Sequence, residues 1–134
     1  MNTMSDVDPS ATGGVLRPLT LLVDDSPDIR RTIGRFLEVA GFEVVQASSG
    51  IEALTLLTSG QKFALLVTDY AMPGLNGAEL ATQALQQLPA LKILIITGFA
   101  TDASLLNPSN VAMLEKPFSR ATLIACLKSL LDKG

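Results

Sequence analysis

Leu19-Thr20-Leu21-Leu22-Val23-Asp24-Asp25 is an apolar run that closes on two carboxylates. The same design recurs along the chain. Asp69 closes Phe63-Ala64-Leu65-Leu66-Val67-Thr68, and Thr97 closes Leu91-Lys92-Ile93-Leu94-Ile95-Ile96. Lys116 follows Val111-Ala112-Met113-Leu114-Glu115 and precedes Pro117. Short runs rich in Leu, Ile and Val, with no polar alternation, read as strands buried on both faces, which is the habit of parallel sheets. If these runs are parallel strands, Asp24, Asp25, Asp69, Thr97 and Lys116 gather at one edge of one sheet.

Between the strands lie helical patterns. Ile29, Ile33, Phe36, Leu37 and Ala40 recur on one face of a helix expected over 27–40, with Ser26 as its cap, Pro27 at its first position and Gly41 past its end. A strand over 42–47 follows. Ser49-Gly50-Ile51-Glu52 then has the spacing of a capping box, opening a helix that stops near Gly60. After a strand over 64–69, Met72-Pro73-Gly74-Leu75-Asn76-Gly77 reads as a turn, and Asn76 caps a helix carrying Leu80, Ala84, Leu85 and Leu88 that Pro89 ends. A strand over 92–97 precedes a weak helix expected around 101–106, interrupted by Pro108. The last pair is a strand over 111–114 and a helix from Ser119, with Leu123, Leu127, Leu130 and Leu131 aligned. Strict strand–helix alternation implies a parallel sheet with helices on both faces. Residues 1–17, rich in Asp, Ser, Thr, Gly and Pro and without periodicity, are expected to be a disordered tail, leaving 18–134 as one domain.

Composition narrows the chemistry. The 134 residues suit one domain, and 48% hydrophobic content suffices for a doubly covered sheet. No apolar run approaches the roughly 20 residues of a membrane span, and no secretory signal opens the chain. Cys126 is the only cysteine, so no internal disulfide forms, which fits a reducing, cytoplasmic setting. Net charge is −3 and Arg30-Arg31 is the only basic cluster, so nucleic acid is not an expected partner. Arg30-Arg31 itself reads as a solvated helix face. The chain has no histidine, which excludes Ser-His and Cys-His nucleophile pairs, His-ligated zinc and a phosphohistidine of its own.

The edge residues still define a chemistry. Ligands of open parallel sheets bind beyond the carboxyl ends of the strands, where strand order reverses. In the order 2-1-3-4-5, strands one and three are neighbours there, so Asp24 and Asp25 face Asp69. Carboxylates that close repel one another, and a divalent cation removes the conflict. All-oxygen ligation favours Mg²⁺, or Mn²⁺, over zinc. Lys116 adds an ammonium and Thr97 a hydroxyl, both suited to phosphoryl oxygens. Asp69, alone at the end of a central strand, is placed to act as a nucleophile that forms an acyl phosphate.

Together, Asp24-Asp25, Asp69 in Val67-Thr68-Asp69-Tyr70-Ala71-Met72-Pro73-Gly74, Thr97-Gly98 and Lys116-Pro117-Phe118 resemble the receiver domain of two-component response regulators. The resemblance covers about residues 19–131, and Thr97-Gly98-Phe99-Ala100 is most similar to receivers attached to hybrid histidine kinases. It implies a flavodoxin-like (βα)5 α/β fold with a doubly wound five-stranded parallel sheet. It also implies Asp69 as phosphoacceptor, Mg²⁺ held by Asp24, Asp25, Asp69 and the backbone carbonyl of Ala71, and Thr97 and Lys116 contacting the phosphoryl group. The implied partners are a histidine kinase or histidine phosphotransfer protein and a downstream protein target, with no membrane and no separate substrate turnover. Monomer or weak homodimer is the expected state. No output domain follows Gly134 in this sequence, so the expected output is protein contact, phosphate relay or phosphate competition.

The sequence departs from the family pattern in three respects. Met113 stands where an aromatic switch residue is usual, the stretch between Thr97 and Lys116 is short, and Ala71 and Phe99 replace polar residues that help water attack the acyl phosphate. Slow hydrolysis of a phospho-form is therefore expected. Each motif alone also has an ordinary reading as a helix cap, a solvated strand end or a surface turn. Rival classes are a receiver-shaped interaction module that works without phosphorylation, a flavodoxin-like cofactor binder, and a haloacid-dehalogenase-type phosphatase. The second lacks its phosphate loop at Asp24-Asp25-Ser26-Pro27-Asp28, and the third lacks an Asp two residues after Asp24.

Overall fold

The computed structural model describes residues 17–98 and 110–132. Five strands, β1 (Leu19–Val23), β2 (Glu43–Ala47), β3 (Leu65–Asp69), β4 (Lys92–Thr97) and β5 (Val111–Glu115), form one sheet in the order 2-1-3-4-5. Every pairing is parallel. Four helices are described, α1 (Pro27–Val39), α2 (Gly50–Leu57), α3 (Gly77–Gln87) and α4 (Arg120–Asp132). The helix expected around 101–106 and almost all of the expected tail fall outside the described residues. No described helix is long and apolar enough to cross a membrane.

The strand pleat divides the core. Leu65, Val67, Leu94 and Ile96 turn toward α1 and α4, where they meet Ile33, Leu37, Leu123, Leu127 and Leu130. Leu21, Val23, Leu66, Ile93 and Ile95 turn the other way, toward α2 and α3, and meet Ala53, Leu57, Leu80 and Ala84. Side chains one residue apart on a strand must point to opposite faces, so uninterrupted apolar runs fill both layers. β3 and β4, at the centre, are the most thoroughly buried strands.

Caps set where the helices begin. The Ser26 side chain accepts from Ile29 N, and Asn76 and Glu79 close a reciprocal capping box at α3. The box expected at α2 forms only in part. Ser49 accepts from Glu52 N, but Glu52 Oε1 reaches one residue further back, to Ser48 N at 2.7 Å and Ser48 Oγ at 3.0 Å. Those bonds favour the charged carboxylate and lower its pKa. Ile29, expected on the core face of α1, is 41% exposed, because the first turn of that helix lies past the apolar cluster that takes Ile33 and Leu37.

One glycine controls how closely helix and strand meet below the sheet edge. A Cβ on Gly77 would stand 2.6 Å from Asp69 O and 2.9 Å from Tyr70 Cα, both backbone atoms. Gly77 N also donates to Tyr70 O at 2.8 Å, so the start of α3 is bound to the chain just past β3. Gly77→Ala should therefore force α3 from the end of β3 and cost about 2 kcal/mol, read as a lower urea midpoint.

Candidate functional site

The end of β1 carries Asp24 and Asp25, and the end of β3 carries Asp69. The register pairs Val23 with Thr68, so the residues that follow emerge side by side at the same edge. One oxygen from each of the three carboxylates lies within 4.8 Å of the others. Asp24 and Asp69 are buried and Asp25 is exposed. Lys116 completes the group, with its Nζ 3.2 Å from Asp69 Oδ1. Its backbone N–H donates to Thr97 O at 2.7 Å, which ties the β5 loop to the end of β4. The peptide bond between Lys116 and Pro117 is cis. Thr97 is buried at that edge. Ala71 lies in the exposed loop two residues beyond Asp69.

Charge balance explains the chemistry available here. Three carboxylates meet one ammonium, so the pocket has an excess of negative charge. Burial is the main reason the Asp24 carboxyl is pushed above its ordinary pKa. The Ser26 N–H, donating to Asp24 Oδ1 at 2.9 Å, opposes the rise. Asp69 and Asp25 add to it, and Lys116 opposes it. A hard divalent cation fits this set, because its side-chain donors are all oxygens and the ion's charge would offset their repulsion. Asp24, Asp25 and Asp69 are the side chains that would hold Mg²⁺.

Arg30 departs from its expected place on a solvated face. Arg31 does sit there, exposed and paired with Asp28 at 2.6 Å. Arg30, one turn into α1, instead donates from Nη1 to Asp24 O at 2.6 Å and from Nε to Gln46 Oε1 at 3.1 Å. Its only sequence signal is position, since the first turns of a helix that follows a strand end look back at that end. Ser26 has a second role that capping alone does not describe, through its N–H to Asp24. Met113 packs half-buried against the core cluster shared by α2 and α3.

The response regulator receiver domain family matches residues 20–128. The response regulator receiver protein CpdR of Brucella abortus is 40% identical over 116 residues, spanning 83% of this chain and 94% of that protein. The sensor kinase CckA of the same organism is 32% identical over 117 residues, which span 84% of this chain but 12% of that kinase. The crystal structure of the receiver domain from the hybrid histidine kinase CckA superposes with a TM-score of 0.73 at 31% identity, covering 84% of this chain and 98% of that domain.

The raised Asp24 pKa fixes a sign. The folded state holds that proton more tightly than the unfolded chain, so ionising Asp24 costs stability as pH rises through its unfolded value and up to its folded one. In chelator at neutral pH, Asp24→Asn should raise the melting temperature by a few degrees, since Asn keeps the acceptor for Ser26 N–H and removes the charge. The gap between variant and wild type should close on acidification, measured by calorimetry across pH 4–7.

Proposed function

This chain belongs to the response regulator receiver domain family, and on that premise we propose that it takes a phosphoryl group from a phosphohistidine partner onto Asp69. The observation that carries the proposal is the Asp69 carboxylate, 3.2 Å from Lys116 and grouped with Asp24 and Asp25. An Asp69 oxygen attacks phosphorus in line with the leaving nitrogen. The P–O bond forms, the P–N bond breaks, and the freed imidazole nitrogen takes a proton from solvent. The product is an acyl phosphate on β3.

The chain's own residues divide the work. Lys116 Nζ, already on Asp69, stands ready to pair with a phosphoryl oxygen, and the Thr97 hydroxyl on β4 is its second contact. Asp24, Asp25 and Asp69, with the Ala71 carbonyl, would hold Mg²⁺. When bound, that ion offsets the negative charge shared by phosphoryl group and carboxylates. The receiver unit spans 18–134, and its output is contact with another protein or relay of the phosphate, without turnover of a separate substrate. A cytoplasmic setting follows from that donor.

Beside the acidic pocket lies a shallow groove of about 440 Å³, its apolar lining Ile29, Ile33, Phe36, Pro117 and Phe118 joined by Asp28, Thr32 and Lys116. Ile29, 41% exposed, is one of its walls. An apolar helix face of a phosphohistidine protein seated there would bring its imidazole over Asp69.

Two measurements test this reading. Asp69→Asn should abolish Mg²⁺-dependent labelling by acetyl phosphate, followed by mass spectrometry, and full labelling would overturn the assignment. Ile29→Asp should slow transfer from a phosphorylated partner protein roughly tenfold while leaving acetyl phosphate labelling within about twofold.

A further inference from the structure

Gly34 lies inside α1, buried and without a turn to make. An interior helix glycine costs about 1 kcal/mol relative to alanine, so its presence asks for a reason. A Cβ there would stand 3.2 Å from Gln46 Nε2 and 3.6 Å from Leu22 Cδ2. Gly34 therefore leaves room for the Gln46 amide on β2. That amide accepts from Arg30 Nε at 3.1 Å, and Arg30 Nη1 donates to Asp24 O at 2.6 Å. The three residues form a chain of contacts that ends on the backbone of the acidic pair.

The bond to Asp24 O matters because a peptide unit is planar. The Asp24 carbonyl shares its plane with the Asp25 amide, so fixing the carbonyl fixes the direction from which Asp25 departs. On the other side, Asp24 N donates to Ala47 O at 3.2 Å, and the Asp24 carboxylate accepts from Ser26 N at 2.9 Å. Arg30 is the element of this clamp that holds the exit toward Asp25. We propose that Arg30, oriented by Gln46 in the space Gly34 leaves, is a positioning residue that sets the Asp24–Asp25 pair for Mg²⁺. This rests on the phosphoacceptor reading of the site given above.

Charge alone predicts the opposite sign. A guanidinium beside a cation site repels the cation, so deleting it should tighten Mg²⁺ binding if electrostatics decide. Loss of an outer contact that orients a ligand typically weakens metal affinity by 10- to 100-fold. The two effects can be told apart by direction.

The test titrates MgCl₂ into the ¹⁵N-labelled full chain and follows amide shifts around Asp25 and Tyr70. Arg30→Ala and Gln46→Ala should each raise the Mg²⁺ Kd by roughly tenfold, and Arg30→Lys, with a single-point donor, should recover part of the loss. Arg31→Ala, which removes a neighbouring charge whose ion pair is with Asp28, should leave Kd unchanged. Gly34→Ala displaces a flexible amide end, so it should weaken Mg²⁺ binding without lowering the melting temperature. It keeps the test alive if Arg30→Ala does not fold. Unchanged or tighter binding in Arg30→Ala, Gln46→Ala and Gly34→Ala would overturn the inference while the wild type still binds Mg²⁺. A wild type with no saturable Mg²⁺ response would overturn the site reading and this inference with it.

Discussion

Like charges held together are the constraint on which this structure turns. Parallel pairing of β1 and β3 leaves Asp24, Asp25 and Asp69 within 4.8 Å at one sheet edge. Left alone, such a cluster opposes folding; burial does most to raise the Asp24 pKa, and the neighbouring Asp69 and Asp25 carboxylates add to the rise. Lys116 offsets part of it through its contact with Asp69. In the proposed reading, the remainder makes the edge receptive to a divalent cation and, with that cation, to a phosphoryl group.

The rest of the molecule supplies the rigidity that such a conflict demands. Two apolar layers, one toward α1 and α4 and one toward α2 and α3, bury β3 and β4 almost completely. Close-packed interiors resist displacement, so the strand ends cannot drift apart to relieve repulsion. Backbone bonds extend that grip beyond the strands, from Asp24 N to Ala47 O, from Lys116 N to Thr97 O, and from Gly77 N to Tyr70 O. Each joins a loop that carries a functional residue to a neighbouring strand or helix.

The environment of the site is uneven, and the unevenness is chemically useful. Asp24 is pinned through its amide, its carbonyl and its carboxylate. Asp25, beside it, is exposed. One acid is thereby fixed and desolvated, and the next is open to solvent and incoming ligands. A groove lined by Ile29, Ile33, Phe36, Pro117 and Phe118, with Asp28 and Thr32 among its walls, adjoins Lys116.

Much of this was legible in the sequence. The runs closed by Asp24, Asp69 and Thr97 became β1, β3 and β4, because buried parallel strands need unbroken apolar stretches and the residue that ends one must face the edge. Ser26, Asn76 and the alignment of Leu123, Leu127 and Leu130 identified helix starts and a core face, because caps and periodicity are local signals. The tertiary structure alone decided the rest. Arg30 and Arg31 are adjacent and identical in type, yet one clasps the Asp24 carbonyl and the other stays in water. Ile29 fits the apolar stripe of α1, yet it lies against solvent beside Phe118. Glu52 has capping-box spacing, yet it serves Ser48. A side chain's partner depends on what the fold brings near it from a distant part of the chain, such as Gln46 on β2, and no local pattern encodes that meeting.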